Sequence, residues 1–251
     1  NVKDQGQCGS CWAHAATETM ESYVAIASGQ LQVLSQQQVS SCTKNPDQCG
    51  GTGGCGGATN ELGMQSVVMT GGIAEEWTYP YVSYWGENFQ CRYNNTNAGP
   101  SGTPSAASIS GYVRLPTNNY TAVIEAVAFI GPQAITVDAA NWHDYAYGVY
   151  DGCGTDSVSL DHGVQMVGYG VDPEFGPYWT VRNSWGTSFG EEGYIRIKRY
   201  ADKTPCGVNT DPSGGTGCKN GPPTQEVCGA CGILTDVSYA VGAKPAVPSP
   251  P

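Results

Sequence analysis

Eleven cysteines, at positions 8, 11, 42, 49, 55, 91, 153, 206, 218, 228 and 231, constrain this 251-residue chain more than any other feature. So many thiols in one protein are either cross-linked or bound to metal. With three histidines and no CxxC…CxxC pair at zinc-ribbon spacing, a zinc ribbon is not supported. A disulfide framework made in an oxidising compartment is the better reading. The odd count then leaves one thiol over, a candidate reactive group. Two sequons, Asn94-Asn95-Thr96 and Asn119-Tyr120-Thr121, suit a secretory route.

Apolar residues at 39% against charged residues at 13% make the chain globular rather than disordered. Its length allows one large domain or two lobes sharing a core. The net charge of −11 argues against a nucleic-acid partner, whose phosphates need Lys and Arg, and is compatible with an acidic compartment. No apolar run approaches a membrane span, and the opening stretch Asn1-Val2-Lys3-Asp4 carries no signal-peptide pattern.

Local patterns divide the chain. Residues 10–28 read as a helix capped by Ser10, with an apolar stripe through Trp12, Ala15, Ala16, Thr19, Tyr23 and Val24, and ended by Gly29. Ser35 to Ser41 reads as a short helix with a Ser35–Gln38 capping box. A Gly-rich, Cys-pinned loop spans 43–57, and a third helix runs from Thr59 to Thr70. One further helix is expected at about 119–130, then strands at Ala134–Val137, Val164–Tyr169, Tyr178–Arg182 and Tyr194–Arg199. Residues 203–230 read as a Gly, Pro and Cys-rich insertion without periodicity, and Lys244 to Pro251 as a linker or loose end. A mainly helical half followed by a mainly β half implies two lobes meeting at a cleft.

The strongest chemical signal is Gln5-Gly6-Gln7-Cys8-Gly9-Ser10-Cys11-Trp12. Cys11 falls at the start of the first helix, where unpaired backbone N–H groups and the helix dipole lower a thiol pKa. A thiolate is the nucleophile that acyl transfer needs. Cys8 and Cys11 also make a CxxC pair, for which redox exchange is the competing reading. That reading lacks a βαβ frame, and the tryptophan follows the second cysteine instead of preceding the first.

These residues resemble the papain family of cysteine proteases. The segment Leu160-Asp161-His162-Gly163-Val164-Gln165-Met166-Val167-Gly168-Tyr169-Gly170 looks like that family's histidine block. Tyr178-Trp179-Thr180-Val181-Arg182-Asn183-Ser184-Trp185-Gly186 looks like its asparagine block, and Tyr79-Pro80-Tyr81 and Gly193-Tyr194-Ile195-Arg196-Ile197 also match. The resemblance covers most of residues 1–200 and resumes at 231–239. It implies an α+β, papain-like two-lobe fold: a helical L lobe over 1–110, a β-rich R lobe over 111–240 and a Pro-rich tail over 241–251, with the active cleft between the lobes. His162 would take the thiol proton and later protonate the leaving amine, Asn183 would orient His162, Gln5 would donate to the oxyanion with the Cys11 backbone N–H, and Trp185 would shield the His162–Asn183 bond.

The same resemblance implies bridges Cys8–Cys55, Cys42–Cys91 and Cys153–Cys231, leaving Cys49, Cys206, Cys218 and Cys228 without an assigned pairing. Gly56 and Gly57 match a glycine pair beside the substrate, although an ordinary turn is the plainer alternative. The pocket for the second residue before the cut would be walled by Ala58, Thr136, Leu160 and Gly163, near Asp161, with Asp236 at its far end. With most of these walls small or apolar, an apolar side chain should fit; Asp236 could also pair there with Arg or Lys, or else point to solvent as a surface acid. His14 reads as a packing histidine and His143 as a rim residue. His162 and Asn183 lie farther from Cys11 than the family's usual 130–150 or so residues, which implies loop insertions, the 43–57 loop being one candidate.

Taken together, the expectation is a cysteine endopeptidase working through a thioester, without metal or cofactor, since no loop resembles the histidine pair of dipeptide-removing members. The alternatives are a catalytically silent module binding peptides or inhibitors, and the CxxC oxidoreductase. The expected partners are polypeptide substrates, an inhibitory propeptide and cystatin-type inhibitors, with no nucleic acid and no membrane, the protein being a monomer. A lysosome- or vacuole-like compartment, or secretion, is expected. The family's opening strand and propeptide are absent, so the chain reads as an N-terminally truncated or processed mature domain.

Overall fold

The computed structural model describes residues 1–94, 103–154, 158–201 and 204–246. Three helices come first: α1 (Cys11–Ser28), α2 (Gln36–Cys42) and α3 (Asn60–Thr70). They close over a core that includes Trp12, Met20, Val24, Leu34, Val39 and Met64. Gly29 and Gly71 end α1 and α3 in the left-handed conformation, which glycine adopts without a Cβ penalty. Thr59 caps α3 through its hydroxyl, as Ser35 caps α2 by accepting from Gln38 N. The capping box around Ser35 is only half formed. The Gln38 side chain turns away to donate to Gly72 O and accept from Ala74 N.

Beyond α3 the chain gives β1 (Ala107–Ser108), β2 (Gly111–Arg114), α4 (Tyr120–Phe129), β3 (Gln133–Val137), β4 (Val149–Tyr150), β5 (His162–Asp172), β6 (Gly176–Arg182), β7 (Tyr194–Lys198), β8 (Cys206–Asn209), β9 (Gln225–Cys228), β10 (Asp236–Val241) and β11 (Lys244–Pro245). Seven of these strands form one sheet in the order β2-β10-β3-β5-β6-β7-β4, antiparallel except where β4 meets β7. Its second core includes Ile135, Val137, Val164, Met166, Trp179 and Val181. α1 packs against β5, so the helical layer and the sheet share that helix as their common wall. This is the α+β two-lobe arrangement.

Both ends of the chain cross between the layers. Near the start, Gln5 N donates to Ser184 O and Gly186 N to Lys3 O, which ties the first residues to the segment after β6. Near the end, β11 pairs antiparallel with β1. Lys244 and Pro245 are therefore strand and not loose tail, because their backbone satisfies the exposed edge of β1. The insertion read as lacking periodicity, 203–230, also contains regular structure: β8 and β9 pair antiparallel from Cys206↔Cys228 to Asn209↔Gln225. Asn119 caps α4 by accepting from Ala122 N, so that sequon sits at a helix start. The sequon at 94–96 falls mostly outside the described residues.

Five disulfides tie the loops. Cys8–Cys55, Cys42–Cys91 and Cys153–Cys231 have Cα separations of 4.6, 4.7 and 5.1 Å. The four cysteines left unassigned by sequence form Cys49–Cys218 and Cys206–Cys228. Cys11 is the free thiol.

One buried charge predicts a pH response. Glu18 on α1 lies 3.3 Å from Arg182 of β6, yet its Oε1 has no hydrogen-bond partner. Burial pushes its carboxyl up to about 7 from 4.5, against the opposing attraction of Arg182 and Lys3. A carboxyl whose pKa is higher folded than unfolded stabilises the fold below the unfolded value and loses that contribution as pH rises through the folded value. Thermal stability should therefore fall between pH 4.5 and about 7, Glu18 supplying about 3 kcal/mol of the change. Melting curves of Glu18→Gln should show a shallower slope in that window; an unchanged slope contradicts the assignment.

Candidate active site

Cys11 opens α1 because the chain immediately before it is pinned. Cys8 is bridged to Cys55, Ser10 N donates to Cys8 O, and the Trp12 indole donates to Gly54 O at 3.1 Å. Ser10 occupies the N-cap position without making a side-chain cap; its hydroxyl is engaged by the Tyr81 hydroxyl at 2.7 Å. Ala13 N and His14 N donate to Ser10 O, which leaves the Cys11 and Trp12 N–H groups at the helix start without a backbone acceptor. Since Cys8 is bonded to Cys55, Cys8 and Cys11 are not a redox pair.

His162 is the first residue of β5, and Asn183 directly follows β6, the next strand. Sheet registry thus sets the two side by side. His162 Nε2 lies 2.8 Å from Asn183 Oδ1, and that oxygen also accepts from Ser184 N at 2.8 Å. An atom accepting from a backbone N–H is the amide oxygen, so Nε2 carries the ring proton and Nδ1 faces Cys11. Gly163 permits the approach of β5 to α1. A Cβ there would meet Trp12 Cα at 2.9 Å and Asn60 Oδ1 at 2.6 Å.

The electrostatics couple the two groups. Burial alone would push the Cys11 thiol up; the hydrogen bond and charge of His162 outweigh it, helped by the backbone of Gly163 and Trp12, and the net shift is down. For His162, burial lowers the pKa, but Cys11 and then Asn183 and Asp161 raise it above the ordinary value. Each partner thus favours the charged form of the other, a thiolate beside an imidazolium. Trp142 meets the His162 ring edge-on at 6.0 Å and Trp185 covers it at 4.8 Å. These indoles keep water from the His162–Asn183 bond, which strengthens it.

Gln5 is buried, its Oε1 accepting from Ser184 Oγ at 2.7 Å and its Nε2 donating to Cys8 O at 2.9 Å. An amide NH₂ has two donors, so a second N–H remains to be used. His14 is also buried, but faces the other way, beside Ser10 O and against the Tyr81 ring. Burial brings its pKa down to about 3, which keeps it neutral. His143 is exposed and stacks on Trp185 at 4.8 Å with an interplanar angle of 2°. That stack, and Trp142 beneath it, were not singled out from sequence, where Trp142-His143 reads only as a loop dipeptide.

A cavity of about 290 Å³ adjoins Cys11. Gly56, Gly57, Ala58, Thr136, Asp161 and Gly163 line it, as do Asn60 and Gly214–Gly215, which sequence reasoning did not select. Two expected wall residues are elsewhere. Leu160 is fully buried and packs with Val158 and Val227 under the β8–β9 hairpin. Asp236 does not line the cavity. Its register opposite Thr136 puts it behind that residue, where Thr136 Oγ1 and Arg114 Nη2 each donate to its carboxylate at 2.7 Å. The carboxylate is therefore occupied and does not offer itself to a cationic substrate. Trp185, a further candidate for substrate contact from sequence, covers His162 and is not among the residues lining this cavity.

Comparison with known proteins agrees with this geometry. The family model described as papain family cysteine protease matches residues 1–216. A cathepsin L-like protein of Caenorhabditis elegans is 40% identical over 215 residues, covering 85% of this chain and 59% of that relative. The chain thus spans about three-fifths of the length of the curated relatives it matches. Bromelain protease from Ananas comosus, solved in complex with the E64 inhibitor, superposes with a TM-score of 0.73 at 34% identity, covering 96% of this chain and 93% of that one. The ragweed pollen allergen Amb a 11 cysteine protease, solved in its proform, gives 0.71 at 33% identity, covering 96% and 61%.

The coupling makes a chemical prediction that needs no substrate. Iodoacetamide should alkylate Cys11 at pH values well below 8.5 or so, where a free thiol is protonated. In His162→Ala burial is opposed only by the backbone of Gly163 and Trp12, so the midpoint of alkylation against pH should rise. An unchanged midpoint would show that His162 does not ionise the thiol.

Proposed function

Because the chain belongs to the papain family of cysteine proteases, we propose that it is a cysteine endopeptidase, hydrolysing peptide bonds through a thioester on Cys11. The observation that carries this reading is the unbroken line from Cys11 through His162 to Asn183, in which Cys11 and His162 each favour the other's charged form and Asn183 supports the imidazolium.

Catalysis follows from the geometry. The Cys11 thiolate attacks the scissile carbonyl carbon, and the carbonyl oxygen takes the negative charge. The second Gln5 Nε2–H and the Cys11 backbone N–H donate to that oxygen, at the positive end of α1. His162 then gives the Nδ1 proton to the leaving amine, and the C–N bond breaks to leave the thioester. Now neutral, His162 takes a proton from water, whose oxygen attacks the thioester carbonyl, and Cys11 departs as thiolate. Asn183 holds the ring in plane throughout and itself exchanges no proton.

Supporting the partner and compartment readings are the proform and inhibitor-bound relatives and the disulfide framework. The partners are polypeptide substrates, a propeptide and cystatin-type inhibitors, the working form is a monomer, and the setting is lysosome- or vacuole-like, or secreted. The two lobes divide near residue 110. The second reading is a catalytically silent module that binds peptides or inhibitors in the same cleft.

Turnover separates the two. Cys11→Ala should abolish peptide hydrolysis and His162→Ala nearly so, while Gln5→Ala should lower kcat by about 10²–10³. Asn183→Ala should cost less at the optimum and should move the alkaline limb of the pH–rate profile down. Above the His162 pKa the imidazolium proton is lost, and Asn183 helps to hold that pKa up. Full turnover by Cys11→Ala, or none by the wild-type chain with its thiol reduced, contradicts the peptidase reading.

A further inference from the structure

Two loops, one from each lobe, meet over the cavity beside Cys11. Residues 204–229 rise from the sheet side as the β8–β9 hairpin, stapled at its base by Cys206–Cys228 and turning at Pro212–Gly217. On the sheet side, Val227 is buried with Val158 and Leu160. Gly215 lies so close to the Leu160 carbonyl that a Cβ would stand 1.6 Å from its oxygen. On the helical side, Gly50 N donates to Gly217 O at 2.7 Å and Lys219 N to Asp47 O at 3.2 Å, while Cys49–Cys218 makes the connection covalent. Gly214 and Gly215, at the middle of this crossing, face the same cavity as Cys11.

Resting on the peptidase reading, we infer that residues 204–229 are a specificity element, a strap stapled across the cleft that closes the cavity and limits it to compact side chains of the substrate. The cavity's 290 Å³ or so includes the space above Cys11 and Gly9, where the scissile backbone must lie, so the share left for a side chain is smaller. Its wall at Gly214–Gly215 is backbone and cannot swing aside by a rotamer change. The strap itself is held by a disulfide and two backbone hydrogen bonds. At the other side Thr136 and Asn60 are joined, Asn60 Nδ2 donating to Thr136 Oγ1 at 3.2 Å, and Thr136 is fixed in turn by Asp236. Asp236 itself is engaged by Arg114 and is not free for a substrate side chain. On this inference a valine is accepted more readily than a phenylalanine, whose ring would extend toward Gly214–Gly215.

The test compares two peptides that differ only in having Val or Phe as the second residue before the cut. The full chain should favour Val over Phe in kcat/KM by about tenfold or more, the scale expected from a steric limit in an apolar-sized pocket. Asn209 and Gln225 are paired across β8–β9, so residues 210–224 can be replaced by a two-residue asparagine–glycine turn, with Cys49→Ser to remove the orphaned thiol. That variant should lose most of the discrimination by gaining on Phe. Cys49→Ser with Cys218→Ser, which keeps the strap but cuts the staple, should shift the ratio in the same direction and serves if the shortened form does not fold. Active variants with the same Val-to-Phe ratio as the full chain would overturn the strap, as would a full chain that favours Phe. Hydrolysis of neither peptide by the full chain, with Cys11 reduced, would instead contradict the peptidase reading on which the strap rests.

Discussion

The contact between the start of α1 and the start of β5 governs this structure. Cys11 and His162 each begin an element, and each element belongs to a different lobe. Their approach requires Gly163, since any Cβ there would press on Trp12 and Asn60. It also requires that the lobes not move apart. The first residues bonded to the 184–186 segment, β11 paired to β1, and α1 packed on β5 supply that constraint. A hydrogen bond between an acid and a base a few ångströms apart is sensitive to small displacements, so the fold's investment in interlobe ties is intelligible as support for one pair of atoms.

The burial that isolates this pair has opposite effects on its members. It raises the thiol and lowers the imidazole, which favours the neutral pair. Mutual attraction, the N-terminus of α1 and Asn183 act the other way and prevail. The same burial prevails on His14, which stays neutral, and on Glu18, where the attraction of Arg182 and Lys3 does not offset it and the ion pair lacks hydrogen-bond geometry. Position relative to a charged partner, and not burial itself, thus separates the reactive histidine from the structural one.

Much of the site was legible because its chemistry is carried by short segments. A cysteine placed at a helix start, a histidine heading one strand and an asparagine ending the next can each be read locally, and the family resemblance supplies their meeting. What was not legible depends on long-range register. Asp236 reads as a pocket residue by simple alignment, but the pairing of β10 with β3 and β2 sets it behind Thr136 and against Arg114. Leu160 is turned into a small core by Val227, which comes from a segment without periodicity. Cys49 and Cys218 lie in two such segments, and nothing local says that they meet. The strand at Lys244–Pro245 is equally invisible, because a two-residue pairing has no sequence period.

The central claim is that Cys11, ionised by His162, forms a covalent acyl bond with substrate. It is tested most directly by mixing the chain with a slowly hydrolysed peptide ester, quenching in acid within the first turnover and mapping the adduct by mass spectrometry. The account predicts one acyl group per chain, on Cys11 alone, absent in His162→Ala under the same conditions. An adduct on another residue, or product formed with no acyl group on Cys11 at any quench time, would contradict it.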